Sequence, residues 1–483
     1  MHAHTLRSGL ALMVVASLSI AACKGQDPKD MLEPNERQKV IDTAKAAEKA
    51  LLDDAKLCER PVVWGEPVKG SGTEAFGKAL DPKQGEACDK ALKAAEKDFG
   101  AAMYLPDNAP LKGWLPRELR EIRFPPKPLD AAVDACRPQL DAVQVAVQHT
   151  SLCQVWPGAV WVKKLERGGG TYFLRLQKLA AHLAAREFAA GQREVGLKRV
   201  LNAVRASQDY GRRATLVDAM LAVAGSKNPL LVLERMLGSA ASWPPELRTR
   251  VAKALAALLA GETEPHTVFA AERALTVAYP DTTPLTKEEG DGLMDPETTM
   301  TFVMIAGWRA LTGLVGACPA GSSHKACMQG LQKRQDELQQ VDSPESLQRA
   351  IEKTGDPRQV REGILQVLER VASPAYTKYV RKLAERPFML AAAQAHLRSV
   401  EAGCDAPAGT DPGSGELIEV KEMPKTGWML TSPMLPYGKG EWQKIYYRAA
   451  CTKPAPPPTQ KTPPACPPTG GDDDGGKVKV QPW

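Results

Sequence analysis

A chain of 483 residues is too long for one ordinary hydrophobic core, so it folds as several units or as one extended assembly. Hydrophobic residues at 43% and charged residues at 25% exclude a wholly disordered or wholly membrane-embedded protein. The net charge of +6 is small for this length and no run of five Lys/Arg occurs, which argues against a nucleic-acid partner, since such proteins concentrate their charge. Aromatics are only 5%, and alanine and leucine dominate the apolar set, which favours helices over strands.

At the N-terminus, Arg7 supplies a positive start and Leu10 to Ile20 an apolar stretch too short to span a bilayer comfortably. Ile20-Ala21-Ala22 then leads into Cys23. These residues resemble the lipobox of bacterial lipoproteins: an aliphatic residue, two small ones that let the peptidase reach the bond, and a nucleophilic cysteine. The resemblance covers residues 1–23. It implies cleavage after Ala22, acylation of Cys23 and attachment to a membrane through that lipid. Two or three acyl chains anchor stably where one would be marginal. Lys24 stands where some members carry an inner-membrane-retention aspartate, so the outer membrane is favoured. Residues 1–22 are therefore expected to be a signal peptide and 23–34 a short polar tether.

Residues 35–165 are expected to form a helical, disulfide-stapled region. Val40, Ala44, Ala47, Leu51 and Ala55 place a helix over 35–57. Residues 85–103 predict a second, 105–128 a Pro-rich connector, and Pro128 the first turn of a third, which Pro138 should break or kink. Residues 166–403 read as a helical array. Its helices fit 171–190, 194–209, 213–224, 229–238, 245–260, 265–279, 297–316, 325–340, 344–354, 357–372, 375–385 and 388–402, with breaks at Gly211, Gly225, Gly261, Pro280, Pro374 and Pro387. Leu183 to Gly191, with Val200 and Ala203, resembles one tetratricopeptide-type hairpin, although Gly196 stands where that family usually has alanine and no 34-residue repeat follows. A plain helical bundle is the alternative. Residues 404–451 contain strand-like runs at 417–421 and 442–447, and 452–483 form a Pro/Gly/Asp-rich tail expected to be disordered. Asp472-Asp473-Asp474 resembles the acidic, glycine-rich ends of pseudopilins, but the spaced acids of a calcium loop are absent. The expected class is mainly α: an irregular array of antiparallel helix hairpins with a small β-containing C-terminal segment.

Ten cysteines fit an oxidising compartment, because none forms CxxC and no histidine completes a zinc site. With Cys23 taken by lipid, sequence order suggests Cys58–Cys88, Cys136–Cys153, Cys318–Cys327 and Cys404–Cys451, although order alone does not fix the pairing. Cys466 is left over, to be free, to bond between chains or to replace Cys451 as the partner of Cys404.

A search for chemistry finds no phosphate loop, dinucleotide fingerprint, HExxH or GxSxG. His149, His182, His266, His324 and His396 are scattered, with His182 inside a helix. Ser322-Ser323-His324-Lys325 contains an SxxK tetrad without the two motifs its enzymes need. Glu288, Glu289 and Asp291 read as an acidic loop at a helix start. No cofactor, metal site or catalytic residue is assigned. The leading expectation is a non-enzymatic envelope lipoprotein with a membrane partner through Cys23 and a protein partner on its helical surface. The alternatives are an anchored cell-wall or polysaccharide hydrolase and a secretion or pilus accessory subunit.

Overall fold

The computed structural model describes residues 32–96, 128–152, 169–212, 214–277, 296–340, 359, 361–363, 365–366, 376–403, 406–423, 427–434 and 444–447. Helices dominate. In chain order they are α1 (Glu36–Asp53), α2 (Thr73–Ala79), α3 (Glu86–Ala94), α4 (Pro128–Ala146), α5 (Gly169–Ala189) and α6 (Arg193–Tyr210). There follow α7 (Leu216–Leu237), α8 (Pro245–Ala260), α9 (Pro265–Val277), α10 (Pro296–Ala317), α11 (His324–Gln340) and α12 (Tyr376–Glu401). Two short strands, β1 (Val68–Ser71) and β2 (His149–Ser151), pair in parallel; β3 (Glu419–Met423), β4 (Gly427–Thr431) and β5 (Lys444–Tyr447) form an antiparallel sheet in that order. The mainly helical class with a small C-terminal β segment is what the composition and periodicity predict.

Local chemistry sets many of the helix ends. Thr215 caps α7 by accepting a bond from the Asp218 amide, and α8 begins at Pro245, whose missing N–H costs nothing in a first turn. After α5, Gly191 takes φ 86°, the Gly191 amide donates to Phe188 O and the Gln192 amide to Glu187 O. That paired closure satisfies the last carbonyls and needs a residue tolerant of the left-handed region.

Three expected breaks do not occur. α4 runs through Pro138, α7 spans the expected gap at Gly225 and also contains Pro229, and α12 continues through Pro387. Pro138 is exposed, so water can serve the carbonyl it frees. Gly225 lies against Phe173, and Pro229 and Pro387 are buried, so packing on both sides offsets the lost backbone bonds. Local propensity yields to tertiary context here. The helix expected over 344–354, the connector over 105–128 and the tail over 452–483 lie outside the described residues.

α5, α6 and α7 pack together as the centre, and α7 contributes to three buried apolar clusters at once. Its length and composition would suit a bilayer span, but most of it is buried in the protein. α1 packs on α9 and α10, while α12 packs on α7, α8 and α11. An open solenoid would join only sequence neighbours. These contacts join α1 to α9 and α10 and α12 to α7, so helices distant in sequence pack together.

Two disulfides are described. Cys88 on α3 is bonded to Cys136 on α4, and Cys318 to Cys327 across the α10–α11 turn. The second matches sequence order. The first overturns Cys58–Cys88 and Cys136–Cys153, because α3 and α4 are neighbours in space although 48 residues separate their cysteines. Cys58 is disulfide-bonded to a cysteine outside the described residues. Cys23, Cys153, Cys404, Cys451 and Cys466 also lie outside them.

Gly196 shows how closely α5 and α6 approach. A Cβ there would sit 2.5 Å from Ala184 O and 2.9 Å from Phe188 N. Both are backbone atoms that cannot swing away. Gly196→Ala should therefore lose a net of about 1–2 kcal/mol despite alanine's better helix propensity, read as a lower urea midpoint at unchanged slope.

Candidate functional site

Charged side chains gather at the centre of the protein. Arg60, just after the short 3-10 turn Ala55–Leu57, reaches Asp209 near the end of α6. Its Nε and Nη2 donate to the two carboxylate oxygens at 2.8 Å each, and both side chains are fully buried. Arg212, one turn on from Asp209, lies 3.7 Å from the same carboxylate. Nearby, Arg386 of α12 makes three bonds of 2.7–3.0 Å to Glu262, which also accepts from Gln208 Nε2 at 2.6 Å. Arg205, with no exposed surface, completes the group.

Four guanidiniums thus surround two carboxylates. Helix ends meet part of the imbalance, while Arg205 Nε and Nη1, Arg212 Nε and Arg386 Nη1 make no hydrogen bond among the described residues. The C-terminus of α8 offers Ala257 O to Arg205, Leu258 O to Gln208, and Gly261 O just beyond it to Arg212. Val147 O and His149 O, just past α4, accept from Arg60. Leu57 O and Pro61 O accept from Arg212 and Arg205. C-terminal carbonyls carry the negative end of the helix dipole, so cations are favoured there. Burial pushes the Arg205 pKa down to about 9, with Asp209 opposing that shift, and the group stays charged at neutral pH. Gly261 is required beside it, since a Cβ would lie 2.2 Å from Arg205 Nη1. These bonds make the centre a lock that joins α6, α8, α12 and the 55–64 segment.

An open groove of about 810 Å³ lies elsewhere, between α10 and α11. Gly313, Gly316 and Ala317 of α10 and Gly330 of α11 line it with little side chain. Gly330 marks the tight end, where a Cβ would meet Ala317 O at 1.9 Å. Trp308, Arg309, Lys333, Arg334, Glu337 and Glu362 give it polar and aromatic walls. Arg309 donates to both Glu362 oxygens at 2.8–2.9 Å, and Arg334 lies 3.6 Å from Glu337.

The histidines do not converge. His266 Nδ1 is 2.8 Å from Cys318 O, and His396 Nε2 is 3.1 Å from Leu237 O. Burial lowers the pKa of His182, His324 and His396 to about 4 each. In the SxxK tetrad, Ser323 Oγ accepts from the Ala326 amide and so starts α11, while Lys325 Nζ pairs with Glu416. That is the bonding of a helix start, and it turns the lysine toward Glu416. Among the described residues, no group of three His, Cys, Asp or Glu side chains could hold a metal. Glu288, Glu289, Asp291 and the Asp472–Asp474 cluster lie outside them. Sequence reasoning missed the central lock entirely, because its members are 149 and 124 residues apart and charged residues on helices ordinarily read as solvated faces.

No family model, curated protein or solved structure matches this chain.

Breaking the lock should be costly and asymmetric. Arg60→Met leaves Asp209 buried without its two-bond partner and should cost about 3–5 kcal/mol in denaturant unfolding. Arg60→Met/Asp209→Leu should regain most of that loss, and a double variant no more stable than the single one would show that the pair is not coupled. The buried histidines set a pH dependence. Their unfolded pKa near 6.5 exceeds the folded value of about 4, so the unfolded chain binds protons first as pH falls. The stability they contribute is full above pH 6.5 and is lost towards pH 4. Tm should accordingly decline across that window, and a flat profile would contradict their burial as neutral groups.

Proposed function

We propose that this chain is an exported lipoprotein, held to a membrane, with the outer membrane favoured, through acyl groups on Cys23, and that its helical body is a non-enzymatic binding module. The observation that carries the proposal is the run Leu10 to Cys23, an apolar stretch ending in Ile20-Ala21-Ala22-Cys23. Two features of the body support it. The bonded pairs Cys88–Cys136 and Cys318–Cys327 are buried between helices, as suits a protein that matures in an oxidising compartment. The first helix among the described residues begins at Glu36, so a tether of about a dozen residues, reaching at most roughly 40 Å, would separate the lipid from the body. The binding role rests on the α10–α11 groove, which offers a lined surface without a nucleophile–base pair. A protein partner on the helical surface remains part of the proposal.

Expression of the full chain in a bacterium fed an alkyne-tagged fatty acid tests the anchor. Labelled protein should sediment with membranes, whereas Cys23→Ala should lose both label and sedimentation. An unlabelled wild-type chain would overturn the proposal.

A further inference from the structure

We infer that the buried arginine lock encloses one small monovalent anion of the halide class, held against the unpartnered N–H groups of Arg205, Arg212 and Arg386. Among the described residues, Arg60, Arg205, Arg212 and Arg386 face Asp209 and Glu262, four cations against two carboxylates. Both carboxylates are already engaged, at 2.6–3.0 Å, by Arg60, Gln208 and Arg386. His324, close to Glu262 and Arg386, adds no charge at pH 7, because burial lowers its pKa to about 4. Arg205 has no exposed surface, and Arg386 and Arg212 are only 5% and 8% exposed. A positive surplus this far from water is costly, and carbonyl dipoles offset only part of it.

The donors show the same surplus atom by atom. Arg205 Nε and Nη1, Arg212 Nε and Arg386 Nη1 are shielded from solvent and make no hydrogen bond among the described residues. A buried donor left without an acceptor loses its hydration with nothing in exchange. All three side chains are pinned to one turn, the end of α8: Arg205 to Ala257 O, Arg212 to Gly261 O and Arg386 to Glu262. Gly261 faces Arg205 so closely that a Cβ there would lie 2.2 Å from Nη1. The spare donors thus belong to side chains that converge on one place. Their number suits a halide, which accepts from any direction. Phosphate would bring three strong acceptor oxygens and a larger charge into the same space. One negative charge halves the surplus, and the carbonyl ends of α4 and α8 carry the rest. Gln208 Oε1 also lacks a partner, but as an acceptor it suits a water beside the anion and not the anion itself. Water alone would satisfy the N–H groups and leave the charge unmet.

The purified full-length protein, in a neutral detergent, is dialysed into sodium gluconate, whose anion is too large to be enclosed. Chloride or bromide then replaces gluconate at constant ionic strength, so that screening does not change. An anion that binds only the folded chain raises its stability, and Tm should climb saturably with either halide, by about 2–5 °C. Arg205→Met removes one cation and two of the spare donors, and should flatten that response. Arg193→Met, at an exposed position of the same helix, should keep it. Anomalous diffraction at the bromine edge, from wild-type crystals grown in sodium bromide, locates the ion without any substitution. A bromide should lie within hydrogen-bonding reach of Arg205 and of Arg212 or Arg386, and this decides the matter if Arg205→Met does not fold. A Tm independent of halide, an equal rise in folded Arg205→Met, or bromide found only at the surface would overturn the inference and leave water as the occupant.

Discussion

A buried guanidinium needs both charge and hydrogen bonds, and the centre of this protein supplies much of both to four at once, leaving single N–H groups of Arg212 and Arg386 and two of Arg205 without a partner among the described residues. Two carboxylates cannot balance Arg60, Arg205, Arg212 and Arg386. The remaining compensation comes from backbone carbonyls, chiefly at the ends of α4 and α8. A free helix end buried without partners is destabilising, and so is a buried cation without acceptors. Each satisfies the other here. The geometry is therefore mutually dependent: α8 must end at Gly261 for Arg205 and Arg212 to fit, and those arginines must be present for α8 to end inside the protein.

This dependence explains why distant segments close into one body. Arg60 ties the 55–64 segment to α6 across 149 residues, and Glu262 ties α12 to the end of α8 across 124. Apolar packing alone is non-directional and would permit α12 to slide along α7. Bidentate ion pairs fix register as well as proximity. α7 touches three apolar clusters and is mostly buried within the protein.

Much of the helical pattern is legible in the sequence because a 3.6-residue period depends only on which residues face inward. The expected helix over 245–260 and the observed Pro245–Ala260 share both boundaries, set by Pro244-Pro245 and Gly261. Gly225 and Pro387 misled because their cost is local while the packing that offsets it is not, and Pro138 because it faces water. The parallel β1–β2 pair escaped notice because four and three residues carry no usable alternation. Cys88–Cys136 was illegible for a similar reason, since its partners meet only after α3 packs on α4. Of the candidate sites, the central lock lay inside α6 as Arg205, Gln208 and Asp209, in a stretch from Val200 to Tyr210 that is buried on every side. The same helix carries Arg193, Glu194, Lys198 and Arg199 in its first half, so its composition reads as that of a surface helix and hides the buried charges.

The groove and the start of the chain are coupled through another ion pair. Glu36, the first residue of α1, pairs with Arg361, and both side chains are largely buried. The next residue, Glu362, is the groove wall that holds Arg309. The start of α1 therefore lies beside the groove, and any displacement of it acts on that wall through adjacent residues.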